Sequence, residues 1–341
     1  LALVVVVGAA LVLAVGQDPW EVGVEAVHAT LLSGYGLGQV LFKATPLILT
    51  GLAVAIPFSA GLFNVGGEGQ LVAGALACAV VAQAWGGSVG AGATVAGMVA
   101  AAAVGAGAGA VAGALKAWRH VHEVISTIML NFILAALCGY LLAAHLQEPG
   151  TAHTPELPGA VLFTRLSAWA PSWAGSNVST SLLVALALAL LAQGLMDRTV
   201  LGYELRASGA GPLAALHAGI PWAVMTVGSL ALGGGLAGLA GAHFVLGARR
   251  YFEEGLSGGE GFLGIAVALM ARGAPWAVVP AALVFGGLSQ AGLSVGSRVP
   301  REIVQVLQAL VVLSLAGSAA WARRRGASAP GPAPGKEGQR D

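Results

Sequence analysis

The sequence predicts an all-α, polytopic membrane protein of about ten transmembrane helices, eight to ten crossings in all. Three observations carry this. Only 9% of the 341 residues are charged against 57% hydrophobic, whereas a soluble domain carries about 25% charged residues. The charges are also bunched: residues 69–115, 166–196 and 207–248 contain none. Finally, the period-two alternation of an outer-membrane barrel is absent. A crossing needs about 20 apolar residues, so the first and third of these stretches can each hold a helical hairpin.

Taken in order, the spans are placed at 1–16, 38–60, 68–85, 89–115, 124–146, 177–196, 221–246, 261–271, 276–296 and 303–320. The first is an unbroken apolar run that opens at Leu1. It reads as a spanning helix lacking its native start rather than a signal peptide, because no basic region precedes it and no clear cleavage site follows. Spans two to seven are bounded by charged or Pro-containing segments, such as Lys116 to Glu123 and Gln147 to Pro149. The eighth is too short to cross alone and reads as a broken or re-entrant helix. The 52 glycines, with abundant alanine, let backbones approach closely, so tight helix packing is expected.

Orientation follows from Lys and Arg, which cytoplasmic loops retain. Lys116 and Arg119, Arg198 and Arg206, Arg272, and Arg323 to Arg325 follow the fourth, sixth, eighth and tenth spans. Ten spans put all four groups on one side, with both termini cytoplasmic in a bacterial plasma (inner) membrane. Arg165 is an exception, and Arg249, Arg250, Arg298 and Arg301 fit less well, though Glu253, Glu254, Glu260 and Glu302 accompany them. The transmembrane domain is 1–325, including a cytoplasmic segment at 198–220. Residues 326–341, rich in Gly, Pro, Ala and Ser, read as a disordered cytoplasmic tail. The loop 147–177, with four prolines besides Trp169 and Trp173, suits the outer bilayer interface, where Trp tends to sit.

An internal repeat is visible. Gly66-Gly67-Glu68-Gly69 recurs as Gly258-Gly259-Glu260-Gly261, each heading an apolar helix. Under the ten-span topology the two face opposite sides, which is the geometry of an inverted repeat.

Chemistry-bearing groups are few. None of the three lysines (Lys43, Lys116 and Lys336) lies in a phosphate-binding loop, so ATP is not expected to bind here. No zinc-protease or nucleophile-elbow motif is present, and the chain is not expected to be an enzyme. Cys78 and Cys138 lie in apolar runs and read as small core residues. His120 and His122 flank a short loop, and no metal site is expected there. For His243, within a span, a pore role and a hydrogen-bonded packing role are both open. Two roles likewise fit Glu68: capping a helix N-terminus, or lining a cavity on the transport path. Asn64, Gln70, Asn131 and Glu260 join it as candidates for that path. Asn131 is also expected to hydrogen-bond between helices. In 201–220, Pro212 suits the first turn of a short helix, on which Leu213, Leu216 and Ile220 form an apolar stripe. So weakly charged a helix is expected to dock into a partner's groove rather than on lipid.

The run Thr45-Pro46-Leu47-Ile48-Leu49-Thr50-Gly51 and the run Ala60-Gly61-Leu62-Phe63-Asn64-Val65-Gly66-Gly67-Glu68-Gly69-Gln70 resemble the permeases of bacterial ABC importers for nucleosides and simple sugars. These belong to the branched-chain amino-acid permease superfamily. His122-Glu123-Val124-Ile125-Ser126-Thr127-Ile128-Met129-Leu130-Asn131 is similar to the nucleoside branch, and the likeness extends from about Thr45 to Ser294. The resemblance implies that Arg206 to Ile220 is the coupling helix seated on the ATPase. Arg206, Ala207, Gly209, Pro212, Ala214, Ala215, Ala218 and Gly219 fit the usual pattern, while Ser208, Gly211, Leu216 and His217 depart from it. It also implies ATPase subunits that bind the ATP, a second permease subunit (homodimer or heterodimer) and an extracytoplasmic substrate-binding lipoprotein, with no cofactor and no nucleic-acid partner. Sugars or branched-chain amino acids are the alternative cargo. An ion-coupled secondary transporter is the competing class, and it needs ionisable groups inside the spans.

Overall fold

Inside a bilayer every backbone N–H and C=O must be satisfied within the protein, and a helix does this segment by segment. The computed structural model is correspondingly helical. It describes residues 2–169 and 171–300, together with Glu302, Ile303, Gln305, Val306, Leu307, Ala309, Leu310, Leu313 and Ser314. No β-strand forms among the described residues. Two isolated bridges pair His153 with Glu253 and Arg165 with Ser179.

The chain begins with α1 (Ala2–Ala14) and α2 (Pro19–Val27). Asp18 caps α2 by accepting from the Trp20 N–H at 2.8 Å, and Pro19 takes the first helical position, where its missing N–H costs nothing. Then come α3 (Gly34–Ser59), α4 (Gly67–Val89), α5 (Ala91–Arg119), α6 (Glu123–Leu141) and α7 (Ser181–Arg198). The shorter α8 (Val200–Ala210) and α9 (Pro212–His217) precede α10 (Trp222–Phe244), α11 (Glu260–Met270) and α12 (Pro275–Ser294).

Among the described residues seven helices are long and apolar enough to cross, or eight if the bent pair α1–α2 counts as one span. Eight is the lower end of the expected eight to ten, and the described residues do not confirm ten. The first predicted span bends by 115° into α2. The eighth is the 11-residue α11, and the tenth and the tail lie largely or wholly outside the described residues.

Helix α3 is the axis of the bundle. Residues 44–57 are buried without interruption, as befits a helix apolar on every side. It packs against α7, α10, α11 and α12. By contrast α5 and α6 are mostly open to the surroundings, with Val95, Val99, Ile125, Phe132 and Ile133 each more than half exposed. In water such a face would aggregate; against acyl chains it is the matching surface. Helices α5 and α10 approach through glycine. A Cβ on Gly105 would stand 2.2 Å from the Gly234 carbonyl oxygen, and one on Gly234 would stand 2.1 Å from that of Gly105. Small residues at the crossing let the backbones themselves touch.

Lys116, Arg119, Arg198, Arg206 and Arg272 gather at one end of the bundle. There α5 stops, α8 and α9 lie, and Gly273 packs on Phe58 at the end of α3. Segment 147–180 folds over the opposite end. The Leu157 N–H donates to the Arg250 carbonyl at 2.7 Å, and the Phe163 N–H to that of Leu246 at 2.9 Å. Leu157 and Val161 are buried beneath this cover while Trp169 stays exposed. Cys78 and Cys138 are buried and unbridged. His243 is buried and hydrogen-bonded through Nδ1 to the Ser181 hydroxyl at 2.8 Å, which favours packing over a pore role for that ring nitrogen.

Candidate functional site

At the basic end α3 terminates at Ser59, and Gly61, with φ of +73°, turns the chain back into the bundle. Asn64 reaches the height of Ala53, whose carbonyl accepts from the Asn64 amide at 3.1 Å. Ala53 lies six residues before Ser59, about 9 Å along the helix axis. Only from this depth does α4 begin. Helix α11 starts at a similar depth from the other direction: the Thr50 hydroxyl donates to the Glu260 carbonyl at 3.2 Å, about 14 Å above Ser59 along α3.

Two helix N-termini thus meet inside the bundle. Each begins with backbone N–H groups that have no intrahelical acceptor, and each carries a partial positive charge. Their partners are side chains from elsewhere. Glu68 accepts from the Gly261 N–H at 2.9 Å and from the Ser257 hydroxyl. Asn131, on α6, accepts from the Gly69 N–H at 2.8 Å and donates to the Val65 carbonyl at 2.9 Å. Asn64 and Gln70 form a reciprocal amide pair, at 3.0 Å and 3.3 Å, and Asn64 also accepts from the Gly66 N–H at 3.0 Å. Asn64, Gln70 and Asn131 are buried.

This corrects the expected depth of the two repeats. The two Gly-Gly-Glu-Gly repeats were placed on opposite faces, yet they touch: a Cβ on Gly261 would stand 2.4 Å from the Glu68 Cα. The reason is that both helices start within the bundle, not at its surfaces. Glu68 does cap a helix, but the helix is α11 and not its own. Asn131 bonds between helices as expected.

Glu260, the repeat partner of Glu68, is different. Its Oε2 is buried without a hydrogen-bond partner among the described residues, and its side chain lines a cavity shared with Lys43, Ser257, Phe262, Ser289 and Gln305. Sequence reasoning missed Thr50, Ser257 and Lys43. Lys43 was findable, because it falls inside the predicted span 38–60, and an ionisable residue within a span points to function.

Removing the amide pair should be costly. Asn64→Leu leaves the Ala53 carbonyl, the Gly66 N–H and the Gln70 amide unpaired, at about 1–3 kcal/mol each. The expected result is a lowered thermal midpoint of the detergent-purified chain. Adding Gln70→Leu should cost much less than it does alone, since its partner is already gone. Strictly additive losses would sink the claim that the two amides act as a unit.

The second candidate region is 198–220. Thr199 caps α8 by accepting from the Gly202 N–H at 3.1 Å, and Pro212 opens α9. The candidate residues divide between two faces. Gly209 is inward: a Cβ there would stand 2.4 Å from the Ser59 carbonyl oxygen and 2.7 Å from the Gly61 nitrogen. Ala215 is buried, and Ala207 packs on the same cluster with Leu205, Met196 and Ile220. The Arg206 guanidinium turns back to donate to the Met196 carbonyl. Pro212, Ala214, Ala218 and Gly219 are exposed.

The apolar stripe also needs correcting. Leu213 and Leu216 are 75% and 58% exposed, but Ile220 is buried. Helix α9 ends at His217, and Gly219, with φ of +83°, turns Ile220 inward. The exposed apolar pair is Leu213 with Leu216.

The profile of the family described as branched-chain amino acid transport system / permease component matches residues 36–316. The "Glucose ABC transporter permease protein TsgB13" of Haloferax volcanii is 36% identical over 98% of this chain and 92% of its own length. The "Guanosine ABC transporter permease protein NupP" of Bacillus subtilis is 34% identical, covering 83% of this chain and 82% of the relative. The "Nucleoside ABC transporter permease protein NupB" of Lactococcus lactis is 30% identical over 91% and 86%.

Proposed function

The chain belongs to the family of permease components of branched-chain amino acid transport systems, and from that premise we propose that it imports nucleosides as one half of a paired pore driven by separate ATPase subunits. The relatives named for guanosine and nucleosides support that cargo, and the one named for glucose keeps sugars as the second reading. A second permease chain completes the pore, and an extracytoplasmic lipoprotein delivers the ligand. The basic end faces the cytoplasm of a bacterial plasma membrane, in keeping with the retention of Lys and Arg there.

One observation carries the coupling. Helix α8 presses Gly209 directly on the Ser59–Gly61 turn, and three residues beyond Gly61 stands Asn64, at the root of the amide network. Behind Asn64 the N-termini of α4 and α11 abut through Glu68 and Gly261. A displacement of α8–α9 by a docked ATPase therefore moves backbone against backbone, with no side chain to absorb it. Glu68, Asn64, Gln70 and Asn131 are positioning residues for the helix ends that border the path, and Glu260 faces the path itself.

The test is uptake of radiolabelled guanosine into cells carrying the full system, with and without ATP depletion. Uptake that stops on depletion and is outcompeted by unlabelled nucleosides but not by glucose is the expected result. Competition by glucose alone would transfer the cargo to sugars. Uptake that survives depletion of ATP but collapses with the ion gradient would replace the ATP-driven reading with the secondary transporter.

A further inference from the structure

Most polar groups of the buried network are spoken for; one oxygen of the Glu260 carboxylate is not. Its Oε2 has no hydrogen-bond partner among the described residues, and an orphaned buried acceptor is costly unless something occupies its place. The side chain lines a cavity of about 630 Å³, within the 300–1,000 Å³ typical of small-molecule sites.

The rest of the lining narrows what fits. Lys43 on α3 and Glu260 on α11 both line this cavity. Gln305 adds an amide group, and Phe262 adds an aromatic face. Four glycines also line it, beside Leu263, Ala266 and Leu293, leaving room and some bare backbone. A carboxylate accepts two hydrogen bonds side by side, which suits adjacent hydroxyls, and an aromatic ring suits a flat heterocycle.

The cavity opens on the flank of the bundle, with Phe262 and Leu293 exposed at its rim.

We propose that Glu260 accepts hydrogen bonds from the vicinal hydroxyls of a ribose-bearing ligand in this cavity, with Phe262 against its base. This is a transit site in the permease itself, separate from whatever selection the delivering lipoprotein makes. It rests on the nucleoside-importer reading above.

The experiment compares uptake of guanosine with that of 2′,3′-dideoxyguanosine in cells carrying the full system, for the wild type and for Glu260→Gln. The lipoprotein's own preference is the same in both strains and cancels in the ratio of ratios. Hydrogen bonds to a charged group put the wild-type preference added by this site at about 10- to 100-fold. That factor is expected to fall at least several-fold in Glu260→Gln, whose amide keeps one neutral acceptor in place of two carboxylate oxygens, chiefly through slower guanosine uptake at equal membrane abundance of the tagged chain. An unchanged ratio in a well-expressed Glu260→Gln overturns the assignment. If that variant does not accumulate, Glu260→Asp replaces it. There the charge is kept but the reach is one methylene shorter, so the ratio should fall several-fold, and an unchanged ratio again overturns the site. Failure of the importer reading looks different: the wild type itself would then show no ATP-dependent guanosine uptake.

Discussion

Replacing Leu213 and Leu216 together with arginine is expected to strip the ATPase from the purified complex and to lower ATP-dependent uptake about a hundredfold or more. The argument is one of exposure. Both side chains stand clear of the bundle, at 75% and 58% exposed, on a six-residue helix whose other face is seated through Ala215. Apolar anchors in a partner's groove are worth about 2 kcal/mol or more each when fully buried by the partner, and a charge forced into that groove adds a desolvation penalty. Because neither side chain supports the fold of this chain, the variant should reach the membrane in normal amount and keep its thermal midpoint. Co-purification of the tagged chain, with the ATPase quantified per mole, gives the answer. Retention of the ATPase at wild-type stoichiometry would remove α9 from the docking surface. Substitution at Gly209 or Ala215 would not test docking, since these residues face inward and their enlargement disturbs the seat itself.

Gly261→Val is expected to unseat the two helix N-termini and leave little folded protein. A Cβ at this position meets backbone: the Glu68 Cα at 2.4 Å and its nitrogen at 2.5 Å, besides the Glu68 Oε2 at 2.6 Å. Backbone cannot rotate away as a side chain does, so α11 must move off α4. That movement also breaks the Gly261 N–H to Glu68 bond. Overpacking costs about 1–3 kcal/mol and the broken charge-assisted bond about as much again. A drop of at least about 5 °C in the thermal midpoint is expected even for Gly261→Ala. Gly287→Ala on α12 is the matched control, because nothing lies within 4 Å of a Cβ there. It should be neutral or slightly stabilising, since alanine is the better helix former. Equal behaviour of the two variants would mean that the apposition of α4 and α11 contributes nothing to stability.

Much of this was legible in one dimension. Charge-free runs and their flanking Lys, Arg and Pro residues determined where the long helices lie, because a helix in a bilayer must be apolar over its whole crossing and charges must wait for its ends. So 89–115 became Ala91–Arg119 and 221–246 became Trp222–Phe244, within a few residues. The recurrence of Gly-Gly-Glu-Gly marked the two unusual helix starts, and Pro212 with its leucines marked the exposed short helix.

Depth and facing were decided only by the tertiary structure. Hydropathy says that a segment is apolar, not how far a loop re-enters before its helix begins, so the meeting of Glu68 with Gly261 was invisible. The same holds for Ile220, which joins Leu213 and Leu216 on a helical wheel but is turned away by the left-handed Gly219. Nor could composition tell which glycines are mere spacers, as at Gly287, and which are contacts, as at Gly209. A glycine's packing role lies in the atoms that approach it from another helix, and those belong to distant parts of the chain.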